Sequence, residues 1–245
     1  MRISIDHQAI DVNPGETILE AVRKTGIDIP TLCYHEAFGG QGMCRMCMVE
    51  VKNGNTTRLV ASCTYPIYEE IEVKTSTPAI EKIRRSIVTL LYRTAPKSEF
   101  MENLYREYNC KENRLSIDLN ERCILCRLCV RACEEIGSSA ISAIFRGTEK
   151  RISTPFDEAS AVCIGCAACV EVCPTGAIGL SETDEERTIW NKTFALVHCE
   201  RCGKPFATRE QLDYIATRVG MKDNAANFCE DCRKKNLATQ ISQFI

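Results

Sequence analysis

The chain has 245 residues, with 31 basic and 33 acidic side chains and a formal net charge of −2, a balance that gives nucleic-acid binding no global electrostatic support. Its 17 cysteines far exceed ordinary usage, but they cluster in Cys-x2-Cys runs that suit metals rather than disulfides, and Met1-Arg2-Ile3-Ser4-Ile5 opens without an apolar signal region. The longest aliphatic stretches, such as Ile87 to Leu91, fall far short of a membrane span, which points to a reducing, cytoplasmic setting for one large domain or two to three small ones.

Residues 2–12 alternate through Ile3, Ile5, Ile10 and Val12 around His7-Gln8, the pattern of a β-hairpin. Asn13-Pro14-Gly15 reads as a turn. Thr17 to Lys24 reads as a short helix with Ile18, Ala21 and Val22 on one face, closed by Gly26. Met48–Lys52, Arg58–Ser62 and Ile71–Lys74 read as further strands. This order predicts an α+β chain whose first domain, 1–77, has the β-grasp arrangement. Its loops carry the cysteine set Cys33-x10-Cys44-x2-Cys47-x15-Cys63. Gly39, Gly40 and Gly42 lie between the first two members, where the absence of side chains lets backbone N–H groups approach sulfur closely. A Rieske centre needs two histidines, and Cys33-x-His35 supplies only one. The plant-type ferredoxin spacing, four residues before the Cys-x2-Cys, is missed as well.

Thr77-Pro78 marks a helix start with proline at its first position. Ile80, Ile83, Ile87, Leu90 and Leu91 then share a face. Pro96 breaks the run, and Ser98 can cap a second helix carrying Met101, Leu104, Tyr105 and Tyr108. The pair reads as a helical spacer over 78–116.

Two iron–sulfur runs follow in a domain over 117–182. They are Cys123-x2-Cys126-x2-Cys129-x3-Cys133 and Cys163-x2-Cys166-x2-Cys169-x3-Cys173-Pro174, an internal repeat with a small insertion between its halves. A loop with cysteine at every third position wraps three thiolates around a cubane. The repeat predicts a pseudo-twofold fold. Arg122, Arg127 and Arg131 flank the first run, whereas Ile164, Gly165, Ala167, Ala168 and Val170 line the second. Positive charge favours a reduced cluster and an apolar lining disfavours it, so the first run is expected to hold the centre of higher potential.

The acidic stretch Glu182 to Glu186 reads as a linker into a last domain, 183–245. Thr188–Val197 is strand-like, Thr208 with Gln211 forms a capping box, and Leu212, Ile215, Ala216 and Val219 give a helix ending at Gly220. Cys199-x2-Cys202 and Cys229-x2-Cys232 form two knuckles whose spacing suits a zinc ribbon, with a further iron–sulfur cluster as the alternative. His198 reads as a bystander and Cys110 as a leftover structural thiol. Four occupied thiolate sites of about −2 each lower the total charge to roughly −10.

The stretches Ile29-Pro30-Thr31-Leu32-Cys33-Tyr34-His35, Cys44-Arg45-Met46-Cys47-Met48-Val49-Glu50 and Ala61-Ser62-Cys63 resemble the amino-terminal region of the large iron–sulfur subunit of respiratory complex I. The diaphorase-side small subunit of NAD-linked nickel–iron hydrogenases and the amino terminus of many iron–iron hydrogenases are similar. The resemblance implies one 2Fe-2S cluster on Cys33, Cys44, Cys47 and Cys63. The two later runs resemble two-cluster ferredoxins, which implies two 4Fe-4S clusters, one on Cys123, Cys126, Cys129 and Cys173 and the other on Cys163, Cys166, Cys169 and Cys133. One departure matters. The His-x3-Cys-x2-Cys-x5-Cys set usual in those families is missing, since residues 80–115 hold no histidine and only Cys110. Either the modules then approach one another more closely, or a partner's cluster bridges them.

The resulting expectation is a non-catalytic electron-relay subunit of an NAD(P)-linked hydrogenase or formate dehydrogenase type of complex, with three iron–sulfur clusters and one zinc ion. Its expected partners are a flavin/NAD(P)-binding subunit and a hydrogenase or formate dehydrogenase catalytic subunit. The chain itself shows no GxGxxG motif and no helix-turn-helix pattern. The iron–sulfur subunit of succinate dehydrogenase is disfavoured because both runs here are complete. A free-standing polyferredoxin remains the alternative.

Overall fold

The computed structural model describes residues 1–111, 120–219 and 227–242, and the chain divides into two compact units. The first comprises Met1–Leu128 with Pro174–Ala177, the second Cys129–Cys173 with Ile178–Ile245. The Gly220 helix stop lies outside the described residues.

In the first unit, β1 (Arg2–Ile5) and β2 (Gln8–Asp11) form the expected hairpin, turning through Asp6 and His7 at positive φ. Helix α1 (Ile18–Arg23) begins at a capping box in which Thr17 and Glu20 satisfy each other's backbone N–H groups. Strands β5 (Met48–Asn53), β6 (Thr56–Ala61) and β7 (Glu72–Lys74) complete a sheet of order β2-β1-β7-β5-β6, with β1 and β7 parallel and the other pairs antiparallel. The short strands β3 (Tyr34–His35) and β4 (Gly39–Gly40) form a separate hairpin in the loop after α1. Alternation sends Ile3 and Ile5 of β1, and Val49 and Val51 of β5, into a core shared with Ile18, Leu19 and Val22 of α1. Two ligand candidates, Cys47 and Cys63, belong to that same core. The sheet is thus built to present them.

Helix α2 (Pro78–Thr94) starts at the expected Thr77 cap, and α3 (Glu99–Glu107) at Ser98. The buried face differs from the expected one. Ile80, Arg84, Val88 and Thr89 point inward, while Leu90 is 56% exposed. Arg84 explains the rotation. Its guanidinium donates to the carbonyls of Met46 (3.2 Å), Met48 (3.2 Å) and Thr75 (3.0 Å) and to Glu81 (3.0 Å). The fork therefore grips the backbone on both sides of Cys47, and α2 is more than a spacer. Replacing Arg84 by methionine strands three buried carbonyls and is expected to cost on the order of 3 kcal/mol. Arg84→Lys should recover only part, because one ammonium cannot span three acceptors. Denaturant unfolding of the metal-loaded protein checks this, and an unchanged midpoint for the methionine variant would refute it.

In the second unit, α4 (Leu128–Ile136, whose first residue counts with the first unit) carries Cys129 and Cys133 of the first run, and α5 (Ala168–Glu171) carries Cys169 of the second. The insertion between them is a hairpin of β8 (Ser142–Ile144) and β9 (Arg151–Ser153). The repeat is visible in the backbone. Leu125 and Arg127 in the first run, and Gly165 and Ala167 in the second, all have φ between 55 and 68°. Each run winds through two left-handed residues around its second cysteine.

The acidic stretch read as a linker is instead a tight turn. Strands β10 (Leu180–Glu182) and β11 (Glu186–Ile189) pair across it, and β12 (Lys192–His198) and β13 (Pro205–Thr208) continue the sheet. Thr183 accepts the N–H groups of Glu185 and Glu186, which makes the turn compact despite its charge. The single strand expected over Thr188–Val197 is two, broken at Trp190 and Asn191, whose positive φ values of 51 and 60° make a two-residue hairpin turn. The sheet crosses the boundary expected at 182/183. Helices α6 (Arg209–Val219) and α7 (Glu230–Ser242) follow, α6 capped by Thr208 accepting from Gln211 N–H at 3.1 Å. Residues after Cys232 form most of α7. No helix among the described residues is long and apolar enough to cross a membrane.

Candidate functional site

In the first unit the four amino-terminal cysteines fall into two sulfur pairs. The Cys33 thiol is lowered to about 6, chiefly because the Cys44 thiol donates to it; burial opposes this, and the N–H groups of Cys44, Met43 and Gln41 assist. The same contact and burial raise Cys44. Cys47 is likewise lowered to about 6 by the Cys63 thiol, against burial, while Cys63 is raised. The N–H of Cys44 lies 3.4 Å from Cys33 Sγ, and that of Met46 3.5 Å from Cys44 Sγ. Such N–H groups aimed at sulfur suit a site that must accept added negative charge.

Gly40 makes the loop possible. A Cβ placed there would lie 2.5 Å from Cys63 Cβ and carbonyl oxygen and 2.7 Å from its sulfur. His35 does not join the sulfurs. Its Nδ1 accepts the Ala37 N–H at 3.2 Å and its ring stacks on Phe38 at 4.6 Å, so it orders the β3–β4 loop. Gln41 has two contacts. Its backbone N–H serves Cys33 sulfur, and its side-chain Nε2 donates to the Cys126 carbonyl at 3.3 Å. That glutamine was invisible to sequence reasoning, because its partner lies 85 positions away.

In the second unit, Cys133 from α4 lines one cavity with Cys163, Cys166 and Cys169. Its other walls include Ile136, Ile141, Ile189 and Trp190. Four thiols around one apolar pocket fit a compact metal–sulfur group. Burial raises the thiols of Cys163 and Cys166, and pushes Cys169 up to about 11. Bound cations would hold these three as thiolates there. The Ala140 N–H points at Cys133 Sγ (3.2 Å).

The fold adds cations around the second run that its sequence neighbours do not show, and pairs one of the arginines of the first. Arg131 is paired with Glu134 (3.6 Å) and Glu135 (3.0 Å) on its own helix. Around the second run, by contrast, Lys192 Nζ donates to the Cys163 carbonyl at 2.7 Å and Arg187 to the Gly165 carbonyl at 2.8 Å. These cations, and Trp190, come from strands that follow the run, and were missed. Of the remaining set, Cys126 and Cys129 are buried, and Cys123 and Cys173 half-buried. Its members divide between the two units, and its grouping rests on the cysteine repeat. Cys110 lies apart, buried, with its thiol 3.5 Å from the Arg85 carbonyl.

The carboxy-terminal cysteines converge. The sulfurs of Cys199, Cys202, Cys229 and Cys232 all lie within 4.8 Å of one another, and those of Cys202 and Cys229 are 3.8 Å apart. A tetrahedral ion with bonds of about 2.3 Å spaces thiolates by roughly 3.8 Å. The two pairs are presented differently. Cys199 and Cys202 sit on a turn closed by Gly203 N–H to Cys199 O (2.8 Å), whereas Cys229 immediately precedes α7 and Cys232 lies in its first turn. The second hairpin of the expected zinc ribbon is therefore replaced by a helix start. Burial acts to raise the Cys199 thiol, but N–H groups of Cys229, Cys202 and Arg201 outweigh it and bring it to about 6. Cys232 is pushed up to about 12 by burial and by its thiol neighbours. His198 is not part of the group.

The family described as a 2Fe-2S iron-sulfur cluster binding domain matches residues 1–78, and a 4Fe-4S dicluster domain matches residues 116–180. The chain is 32% identical to an NADH-quinone oxidoreductase subunit of Rhizobium meliloti, over 83% of this chain and 27% of that protein. It is 30% identical to an NADP-reducing hydrogenase subunit of Solidesulfovibrio fructosivorans, over 82% of this chain and 39% of that one. It thus spans well under half the length of these curated relatives. A chain in the crystal structure of an NAD+-reducing nickel–iron hydrogenase in the H2-reduced state superposes with a TM-score of 0.61 at 26% identity, covering 72% of this chain and 85% of that one. The chain therefore carries a 2Fe-2S cluster binding domain followed by a 4Fe-4S dicluster domain, and resembles subunits of NADH-quinone oxidoreductases and NAD(P)-reducing hydrogenases.

Proposed function

We propose that this chain is the electron-relay subunit of a multi-subunit oxidoreductase, joining a flavin/NAD(P) module to a hydrogenase or formate dehydrogenase module in the cytoplasm. On this reading a β-grasp domain holds one 2Fe-2S cluster on Cys33, Cys44, Cys47 and Cys63. One 4Fe-4S cluster lies on Cys123, Cys126, Cys129 and Cys173, and a second on Cys133, Cys163, Cys166 and Cys169. Bound at these sites, the clusters supply one-electron transfer. The chain's own residues separate the centres, shield them from water and direct N–H groups at their sulfurs.

The observation that carries the relay is Gln41. Its N–H serves Cys33 sulfur while its side chain donates to the Cys126 carbonyl at 3.3 Å. Electron tunnelling weakens steeply with distance, and this contact supports direct passage between the two loops without the histidine-ligated cluster that the resembling families insert. Of the two alternatives left by that missing set, it favours close approach. At the carboxy-terminal site we infer a single zinc ion, because four sulfurs within 4.8 Å are too close for the larger sphere of a cubane. Zinc there is redox-silent and fastens α7 to the sheet.

An anaerobically purified sample is expected to contain about ten irons per chain, the content of one 2Fe-2S and two 4Fe-4S clusters, with one zinc. It should elute at the mass of a larger assembly with flavin-containing partners. Elution as a lone chain with full iron would support the free-standing polyferredoxin instead, and far less iron would overturn both.

A further inference from the structure

The hairpin of β11 and β12 touches the second cysteine run at three points. Trp190, at its turn, donates its indole N–H to Cys169 Sγ at 3.4 Å. Lys192, just after the turn, places Nζ 2.7 Å from the Cys163 carbonyl and 3.4 Å from those of Ser160 and Ala161. Arg187 donates to the Gly165 carbonyl at 2.8 Å and is paired with Glu182 at 2.6 Å. Ring, ammonium and guanidinium thus converge on one loop from a hairpin that contributes no cysteine.

We propose that this hairpin sets the reduction potential of the Cys133/Cys163/Cys166/Cys169 site, with Trp190 and Lys192 as its tuning residues. The inference rests on reading those four cysteines as a 4Fe-4S site. One electron enters on reduction, with no bond or proton moving, so negative charge on the thiolate sulfurs grows. A donor aimed at Cys169 sulfur strengthens as that charge grows, and so favours the reduced form. Lys192 acts in the same direction through space. Its ammonium is held by three carbonyls, which position it without cancelling its charge, and the half-buried setting limits screening. Arg187, already neutralised by Glu182, shapes the loop more than it charges it.

A structural role alone would be that Trp190 fills the wall of an apolar pocket. Trp190→Phe separates the two, because phenylalanine keeps an aromatic ring in the wall but removes the N–H. In a potentiometric EPR titration of the metal-loaded complex, this variant is expected to disfavour reduction of the second-run centre about tenfold, a shift of about 59 mV to more negative potential for one electron. Iron content and the potentials of the other two centres should not move. Lys192→Met is expected to shift the same centre in the same direction, with recovery in Lys192→Arg. It carries the test if the phenylalanine variant loses its cluster. Unshifted potential in an iron-replete variant overturns the tuning role. Wild-type protein with about four irons too few would overturn the reading of the site itself, a result the titration cannot mimic.

Discussion

Gly40→Ala is expected to abolish the two-iron centre while leaving the rest of the chain loaded. The added methyl would meet the Cys63 carbonyl oxygen and Cβ, both at 2.5 Å, and neither atom is a flexible side-chain end. Cys63 is buried between β6 and the loop that follows, so it cannot retreat without opening the core it shares with Val49 and Ile67. Overpacking of this kind costs about 3 kcal/mol, but the functional loss is larger. Moving Cys63 also parts it from Cys47, whose sulfur it faces. Iron should fall from about ten to about eight per chain, with the two-iron EPR signal gone and the cubane signals retained. A variant with the full two-iron signal would show that the loop is slack.

Cys232→Ala is expected to do more damage than its distance from the iron sites suggests. Zinc held by four thiolates contributes on the order of 10 kcal/mol or more in small folds, and three thiolates hold it far less well. The loss should release α7, and it should not stop there. β12 ends at His198, directly before Cys199, and β13 ends at Thr208. Thr208 donates to the Ile164 carbonyl within the second run at 2.5 Å, and Tyr214 of α6 donates to the Ile136 carbonyl at 2.7 Å. The proposed zinc site therefore anchors the strands that hold the second cubane pocket closed. We expect zinc to vanish and iron to drop to about six per chain on mild warming, with the two-iron signal unaffected. Full iron retention in a zinc-free variant would separate the two sites.

The sequence made the cysteine groups legible because metal chemistry dictates local spacing. A thiolate every third residue can wrap a cubane, and two paired knuckles can meet on one ion. Caps were legible for the same local reason, as at Thr77, Ser98 and Thr208. What stayed hidden was set by partners far along the chain. Arg84 was passed over, yet the carbonyls of Met46, Met48 and Thr75 draw it inward. The run of Thr188–Val197 looked like one strand because Trp190 and Asn191 lack the glycine that usually announces a two-residue hairpin turn. The acidic stretch looked like a linker because charge suggests solvation, whereas Thr183 folds it into a turn. The charges around the two cysteine runs were only partly legible, for a related reason. Flanking arginines were counted, but cations returning from a later hairpin could not be.

The position of that later hairpin has a consequence for how the protein is made. A ribosome delivers Cys163, Cys166 and Cys169 before Trp190, Lys192 and Thr208 have been polymerised, so the emerging loop has its sulfurs but none of the groups that fasten it. Gly165 cannot yet rest against Phe194, which it approaches so closely that a methyl would sit 2.8 Å from the ring. Loading of this centre thus belongs after translation has passed the sheet, and a chain truncated ahead of residue 190 should emerge with its amino-terminal centre mature and its second cubane unmade.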